Sequence, residues 1–404
     1  MRPWTLSLLA PGRRGRPATS SPRAGGAGRP PAVLFLNWRD TGHPEGGGSE
    51  LYVETVAASL AARGHDVTIF CAEYGDAPRQ ERRDGVRFVR RGGRFSVYLF
   101  AALSYLTGRL GRPGVIVDVQ NGVPFWTPLF SRRPVVALVH HVHREQWDVV
   151  FPRHLARLGW FLESRVAPRV YRRAAYVAVS EVTRAELAGL GVRADRVAVV
   201  HNGVVHPAVS GLNESADPLV TVLGRLVPHK RVELAIESIV ALRAEMPTAR
   251  LLVVGQGYWE PWLRAAVERL DAGDIVEMTG FVDERTKHEI LARSWAVAMP
   301  SLKEGWGLTV MEGAVHGTPA VAFRAAGGLA ESVTDGVTGL LADDHTEFTA
   351  HLRRLLTDHD LRHRMGAAAA RRAEDFTWAA TAEAFATVID LAYTGVRVPA
   401  GTLA

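Results

Sequence analysis

Two adjoining stretches, Ala296-Val297-Ala298-Met299-Pro300 and Glu304-Gly305-Trp306-Gly307-Leu308-Thr309-Val310-Met311-Glu312, decide how this chain folds. The first is a short apolar run ended by proline, which is typical of a buried strand. The second is broken by glycines and then continues as a helix. A strand, a glycine turn and a helix in this order expose backbone N–H groups to a phosphate in α/β proteins. The segment therefore predicts a sheet with a phosphate site at its edge.

The two glutamates of this segment are eight positions apart, at 304 and 312. We expect Glu304 at the mouth of the turn and Glu312 about one helical turn further, roughly 6 Å along the axis. One carboxylate beside the phosphates and one a short distance away suit a nucleotide joined to a group with many hydroxyls. The alternative is a surface helix with two solvated acids, and the spacing alone does not separate the two.

The composition is that of an ordinary globular protein, with 404 residues of which 47% are hydrophobic and 22% charged. This length is enough for two domains with large cores. The one cysteine, Cys71, excludes an internal disulfide. Because no apolar run reaches about eighteen residues, no transmembrane helix is expected.

The net charge of +6 comes from the first residues of the chain. Residues 1–31 contain six arginines and no acid, so the remainder is neutral overall and no nucleic-acid partner is expected. This segment is rich in Arg, Pro, Gly and Ser, which predicts a disordered basic tail. A targeting role and a wrongly assigned start codon both remain open as explanations for it.

From residue 32 onward, apolar strands alternate with helices, and the pattern restarts after a polar linker at 213–218. Continuous apolar strands separated by helices predict parallel sheets buried on both faces. We therefore expect an α/β protein with two doubly wound, Rossmann-like domains facing each other across a cleft. The predicted divisions are a tail at 1–31, an N-terminal domain at 32–212, a C-terminal domain at 213–385 and a segment at 386–404 that returns to the N-terminal domain. The predicted strands are 33–36, 67–71, 115–117, 135–139, 176–179, 197–200, 219–223, 251–254, 276–278, 296–299 and 319–323.

Five separated motifs, in this order, resemble a known family. They are Gly46-Gly47-Gly48-Ser49-Glu50, His201-Asn202-Gly203-Val204, the loop 224–230, the Glu304–Glu312 segment and the run 327–340. Together they are similar to retaining family 4 glycosyltransferases of the GT-B fold, over roughly residues 32 to 385. The resemblance implies a donor-nucleotide site in the C-terminal domain and an acceptor site in the N-terminal domain. It also implies cell-envelope glycan synthesis in a bacterium.

The resemblance implies a role for each matching position. Arg225 and Lys230 would bind the donor diphosphate and stabilise the leaving group, which is electrostatic catalysis. Glu304 would hold hydroxyls of the donor sugar, and His140 would meet that sugar near its reacting carbon, with His141 as the fallback. The remaining donor-binding positions would be Gly47, Gly48, Val282, Leu308, Thr309 and Glu312. Arg231 stands where the family commonly has glycine, and Trp306 where it more often has phenylalanine.

No cofactor and no metal ion are expected, only a nucleotide-diphosphate sugar as donor. The cluster His140-His141-Val142-His143 has no further ligands at zinc-site spacing, and no Asp-x-Asp pair follows a strand. Arg225, Lys230 and helix N-termini would supply the charge that a metal supplies elsewhere.

The acceptor is not identified by the sequence; a lipid-linked molecule and a polysaccharide are both open. Residues 153–173 are basic with interleaved apolar residues, which fits either a membrane-surface helix or a helix packed on its own sheet. The basic strip 79–94 adds little to the membrane interpretation. We expect a cytoplasmic protein, with peripheral contact to the inner face of the membrane as a further option. The alternatives to transfer are a non-catalytic sugar-nucleotide-binding protein and a GT-B epimerase.

Overall fold

The computed structural model describes residues 30–207 and 213–403. The predicted disordered tail therefore lies almost entirely outside the described residues. The described chain forms two sheets, one of nine strands and one of six, each covered by helices. This confirms the predicted α/β class with two doubly wound halves.

The N-terminal half is built on a sheet with the strand order β15-β8-β7-β6-β5-β1-β2-β4-β3. All neighbouring strands are parallel except β3 and β4, which form an antiparallel pair. Its strands are β1 Val33–Leu36, β2 Val67–Cys71, β3 Gln80–Arg83, β4 Val86–Arg90, β5 Val115–Gln120, β6 Val135–Val139, β7 Ala175–Ala178, β8 Val197–Val199 and β15 Gly401–Thr402. Its helices are α1 Gly48–Ala62, α2 Val97–Leu106, α3 Arg144–Val150, α4 Arg153–Phe161, α5 Ala167–Val170 and α6 Glu181–Gly189.

The C-terminal half is built on a parallel sheet with the order β11-β10-β9-β12-β13-β14. Its strands are β9 Leu219–Leu223, β10 Arg250–Val254, β11 Val276–Gly280, β12 Ala296–Met299, β13 Ala320–Phe323 and β14 Gly339–Ala342. The helices after residue 213 are α7 Val232–Leu242, α8 Glu260–Arg269, α9 Glu284–Arg293, α10 Leu308–Ala314, α11 Leu329–Ser332, α12 His345–Thr357, α13 His359–Ala373 and α14 Trp378–Thr394.

The central strands are apolar along their whole length because helices cover both faces of each sheet. Every residue of β1, β6, β12 and β13 is buried. Several helices begin where a side chain accepts a hydrogen bond from the helix's own backbone, as Ser180 does for α6 and Thr377 for α14. The strand ends fix where each loop at the carboxyl edge begins, and the capped helix starts fix where these loops end.

The basic strip 79–94, which added little to the membrane interpretation, lies mostly in a pair of strands. It forms β3 and β4, and the guanidinium of Arg90 is buried against Asp40, with Glu81 completing the ion pair. Its turn, Asp84–Gly85, takes positive φ angles at both residues. The segment 153–173 is α4, a π-helical turn Leu162–Val166 and α5, with Leu155, Leu158 and Phe161 exposed on α4.

The C-terminal end of the chain returns to the N-terminal half. Helix α14 packs on α1, the ring of Phe385 stacks on Phe35 at 6.1 Å, and β15 pairs with β8. The predicted boundary between residues 385 and 386 lies inside α14. No helix among residues 30–207 and 213–403 combines the length and apolar character needed to cross a membrane.

The chain crosses between the halves after β8 and again just before α14, and these two crossings are bonded to each other. The backbone N–H of Val204 donates to the carbonyl oxygen of Phe376 at 3.0 Å, and Val204 bridges to Thr377. A Cβ on Gly203 would lie 2.2 Å from the backbone nitrogen of Trp378, so only glycine allows this approach. The two crossings therefore run side by side.

Candidate active site

The turn before α10 depends on glycines that let the two halves meet. Gly307 has a left-handed backbone (φ 92°) immediately before Leu308, and a Cβ there would come within 2.4 Å of Leu329. A Cβ on Gly305 would lie 2.2 Å from the carbonyl oxygen of His140 in the opposite half. The N–H groups of Leu308 and Thr309, in the first turn of α10, have no acceptor within the helix.

Lys230 and Glu304 form an ion pair at the carboxyl edge of the second sheet. Lys230 ends a 3₁₀ turn, Pro228–Lys230, that follows β9, and Glu304 follows the adjacent strand β12. Burial by itself would raise the pKa of Glu304, but the ammonium of Lys230 outweighs it and holds that pKa below its ordinary value. The carboxylate is therefore ionised and oriented by a cation.

Arg225 reaches across to the glycine loop of the N-terminal half. Its Nη1 donates to the carbonyl oxygen of Glu45 at 3.1 Å, and a Cβ on Gly47 would lie 3.4 Å from its Nε. Gly48, the first residue of α1, faces the side chain of Leu308 at a similar separation. Burial, with the charge of Arg39 added to it, lowers the pKa of the Arg225 guanidinium. The glycine loop, the start of α10 and the guanidinium of Arg225 thus surround a common space.

Glu312 lies on α10 and is bound by Lys287, the side chain of which also pairs with Glu284. Burial raises the pKa of Glu312, although Lys287 opposes the shift. Burial would lower the pKa of Lys287, but the carboxylates of Glu312 and Glu284 together outweigh burial and raise this pKa. Helix α9, which carries Lys287, begins just after the turn that contains Val282. This turn and Glu312 are therefore neighbours.

His140 follows β6 and is buried, with its ring edge-on to Tyr52 at 5.4 Å between centroids. Within the described part of the chain its Nε2 has no hydrogen-bond partner. Burial lowers the pKa of this imidazole to about 4, so it is neutral at physiological pH. A neutral imidazole with one unsatisfied nitrogen can bind a hydroxyl without adding charge.

The other histidines of the cluster have protein partners. His141 bonds Gln146 at 3.1 Å, and the ring of His143 bonds Glu163 Oε1 at 3.1 Å. The same oxygen of Glu163 also accepts from the backbone N–H of His143. Among residues 30–207 and 213–403, no group of three or more His, Cys, Asp or Glu side chains is arranged to hold a metal ion.

Besides Lys287, three further residues of the site were missed from the sequence. Glu50 is fully buried and accepts from the backbone N–H of Gly47 at 2.8 Å, while Arg39 pairs with its other oxygen at 3.2 Å. His229 lies beside Lys230, Arg225 and Glu304, and burial and these cations lower its pKa to about 4. Glu50 lies three residues after Gly47 at the start of a helix, which is the spacing of a capping box, so the sequence contained a signal for this residue. Arg39 and His229 had no comparable signal in the sequence.

The predicted residues thus occur in two groups that share the cleft between the sheets. His140, the glycine loop, Arg225, Lys230 and Glu304 surround its centre. Glu312 of α10 is bound by Lys287 of α9, the helix that follows the Val282 turn. Parallel sheets of this kind bind ligands at the carboxyl ends of their strands, which is where both groups lie.

Two family models match the chain over most of its length. The model for glycosyltransferase family 4 matches residues 46–206, and the model for glycosyl transferases group 1 matches residues 209–372. Among curated proteins, the chain is 30% identical over 395 residues to the D-inositol 3-phosphate glycosyltransferase of Kineococcus radiotolerans. That match covers 85% of this chain and 90% of the relative.

Solved structures of other proteins have the same fold. The sucrose-phosphate synthase of Thermosynechococcus elongatus superposes with a TM-score of 0.76 at 19% identity, covering 91% of this chain and all of the other. The HepE protein of Anabaena, solved in complex with UDP-glucose, gives a TM-score of 0.70 at 19% identity over 89% of this chain and 99% of its own. The solved structures show the fold, and the family models and the curated relative favour catalytic transfer over the non-catalytic and epimerase alternatives.

Proposed function

The chain belongs to the family 4 glycosyltransferases of the GT-B fold, and from this premise we propose that it transfers a hexose from its nucleotide-sugar donor with retention of the anomeric configuration. Arg225 and Lys230 bind the diphosphate, and the N–H groups of Leu308 and Thr309 add neutral donors to it. Glu312 binds the ribose, and the Val282 turn receives the base. The observation that carries the proposal is the cluster of Arg225, Lys230 and Glu304 facing the glycine loop.

The cluster of Arg225, Lys230 and Glu304 is suited to stabilise the negative charge of the leaving nucleotide. When the bond between the anomeric carbon and the phosphate oxygen breaks, negative charge grows on the diphosphate. Two cations already held by Glu45 and Glu304 need no reorganisation to meet that charge, which is the usual basis of electrostatic catalysis. Lys230 keeps its bond to Glu304 while its other N–H groups donate to the phosphate, and the second oxygen of Glu304 accepts from hydroxyls of the sugar.

Retention is proposed to proceed on one face of the sugar. A covalent mechanism needs a carboxylate nucleophile at the anomeric carbon. Glu304 is occupied by Lys230 and Glu50 by Arg39 and the backbone of Gly47, so neither is suited to attack. In the proposed mechanism the departing phosphate oxygen takes the proton of the acceptor hydroxyl as that hydroxyl attacks. The neutral His140 orients the donor sugar through its unsatisfied Nε2.

The acceptor is proposed to bind on the N-terminal half, at the carboxyl ends of β1, β5 and β6. Both a lipid-linked acceptor and a polysaccharide fit the proposal. A cytoplasmic location with contact to the inner face of the membrane would suit the first. The exposed side of α4, with Leu155, Leu158 and Phe161 near Arg153 and Arg157, is the segment for which the sequence left a membrane contact open beside packing on its own sheet.

The donor half of the proposal is tested by thermal shift of the purified protein with UDP-, GDP- and ADP-sugars. We expect one nucleotide to raise the melting temperature, and the Arg225→Ala/Lys230→Ala variant to lose this shift while melting in a single transition. The products of the stabilising donor with lipid-linked, polysaccharide and inositol-phosphate acceptors are then examined by NMR. An inverted anomeric configuration, or a shift that persists in the double variant, would contradict the proposal.

A further inference from the structure

Lys303 is a buried cation of the C-terminal half whose charge is balanced by the N-terminal half. Its side chain is only 5% exposed, and its Nζ forms an ion pair with Glu186 of α6. A second acid, Glu145 of α3, lies 3.9 Å from the same Nζ. Both acids belong to the N-terminal half, so the charge of Lys303 is compensated from across the cleft.

The residue after Lys303 is Glu304, which we assign to the donor sugar. The backbone N–H of Glu304 donates to the carbonyl oxygen of Ala326 at 3.1 Å, and Glu304 forms a parallel bridge with Gly327. Successive side chains of an extended backbone point in opposite directions. Accordingly, Lys303 pairs with the N-terminal half while Glu304 pairs with Lys230 in its own half.

The side chain of Lys303 reaches the other half by passing Gly327. This glycine has a left-handed backbone, with φ 66°. A Cβ on Gly327 would lie 3.0 Å from Cε of Lys303 and 2.7 Å from the carbonyl oxygen of Glu304. The stem of Lys303 and the backbone of Glu304 are therefore packed against the same glycine, so a displacement of one is passed to the other.

Burial makes the pair between Lys303 and Glu186 depend on the separation of the two halves. Oε2 of Glu186 is buried and has no hydrogen-bond partner in the part of the chain that the structure describes. This carboxylate therefore relies on Lys303 for its compensation. Charges that are buried without a partner are costly, whereas water would solvate both groups if the cleft opened. Loss of either partner thus penalises the closed cleft and not the open one.

We propose that Lys303 is a positioning residue for transfer, which acts through Glu304. When the halves close, Glu186 and Glu145 bind the ammonium group of Lys303, and the segment beside it is then fixed from both halves. Glu304 is thereby oriented toward the hydroxyls of the donor sugar. This inference rests on the proposed function, which assigns those hydroxyls to Glu304, and it extends that function to a residue that contacts neither substrate.

The test is a double-mutant cycle in the full-length protein, made of Lys303→Met, Glu186→Gln and the two changes combined. Methionine keeps an unbranched side chain at position 303 and removes its charge. We expect each single variant to lower kcat/KM for the donor about tenfold, and the combined variant to fall no further, because both changes break one contact. The thermal shift caused by the nucleoside diphosphate without its sugar should be retained, since Glu304 contacts the sugar.

The matched control is the same cycle on an ion pair within one half. Arg353 of α12 pairs with Glu245, which follows α7, and both belong to the C-terminal half. Arg353→Met, Glu245→Gln and their combination should leave kcat/KM as in the wild type. A contact that serves only the stability of the fold would behave in this way at Lys303 too.

Small-angle X-ray scattering without donor tests the dependence on closure separately. We expect a larger radius of gyration in Lys303→Met and in Glu186→Gln than in the wild type, because the unpaired charge penalises the closed form. An equal radius of gyration in all three proteins would overturn the inference. So would wild-type kcat/KM in Lys303→Met, or losses that add in the combined variant. Absence of any transfer by the wild type would instead contradict the proposed function, and the scattering would still decide on the contact.

Discussion

At the scale of single residues, substitution of Lys230 is the most direct test of the proposed chemistry. We expect Lys230→Ala to lower kcat about 10²- to 10³-fold, because one cation that meets the developing phosphate charge is gone. The variant also leaves Glu304 without its cation, which costs about 1–3 kcal/mol of stability. Stopped assays of nucleotide release and thermal melting measure the two effects. Arg285→Ala, an exposed substitution on α9, serves as the control. Unchanged kcat in Lys230→Ala would reject the assigned role.

Arg231 occupies a left-handed conformation, φ 49° and ψ 40°, which glycine adopts without strain. The side chain offsets this strain by donating to the carbonyl oxygens of Pro300 and Ser301 and by lying 4.4 Å over the ring of Phe323. We expect Arg231→Ala, which keeps the strain and loses the contacts, to be about 1 kcal/mol less stable than Arg231→Gly. Urea unfolding of both variants measures this difference. An alanine variant as stable as the glycine variant would contradict the strain argument.

His140 should make stability depend on pH in a defined direction. Its folded pKa of about 4 lies below the ordinary 6.5, so as the pH falls between these values the unfolded chain takes up a proton that the folded chain does not. The stability that the neutral ring contributes is therefore present above pH 6.5 and lost toward pH 4. Relative to His140→Gln, the wild type should lose stability over this range, measured by urea unfolding at several pH values. A difference that stays constant with pH would contradict the assigned burial.

The site could be predicted only where residue type and local motif carried the information. Lys230, Glu304 and Glu312 lie in such motifs, and the structure brings the first two into contact. The roles of His229 and Lys287 in the site could not be predicted, because the residues that each of them contacts follow strands distant in sequence. Their neighbours, Arg225 and Glu304 for His229 and Glu312 for Lys287, are set by the strand order rather than by spacing along the chain.

At the scale of elements, the start of α6 is stabilised from the opposite half. Glu331 on α11 accepts from the backbone N–H groups of Glu181 and Val182, at 2.7 and 3.3 Å, and pairs with His201 at 2.7 Å. We expect Glu331→Ala to raise the donor KM, because the closed arrangement of the halves is weakened. Glu347→Ala, which removes a comparable bond to the backbone of Asp343 within one half, should lower stability without changing KM. A donor KM of Glu331→Ala equal to that of Glu347→Ala would contradict a role of Glu331 in closure of the two halves.

The elements that the sequence predicted best are the buried strands, since an unbroken apolar run has few other interpretations. The strands β3, β4, β14 and β15 were not predicted. For β3 the reason is that Gln80–Arg83 is a polar edge strand with no apolar alternation. The turn at Asp84–Gly85 was a usable signal for a hairpin. Helix α2 was overlooked for the opposite reason: it is apolar on both sides, so no periodicity marks it.

At the scale of the whole molecule, we predict that transfer continues in EDTA. The diphosphate is expected to meet Arg225 and Lys230 on one side and the start of α10 on the other, so its charge is balanced without a divalent ion. Initial rates with EDTA and with added Mg²⁺ or Mn²⁺ measure this, with nucleotide release as the readout. Loss of turnover in EDTA that is restored by either ion would show that the cations of the protein are insufficient.

The paired crossings beside Val204 and Phe376 determine how the molecule can open. Two chain segments that are bonded along the same line act like a door whose hinges share one pin. We therefore expect any opening of the cleft to be a rotation of the halves about that line rather than a sliding of one past the other. Such a rotation would bring His140 back to the same position opposite Gly305 on every turnover.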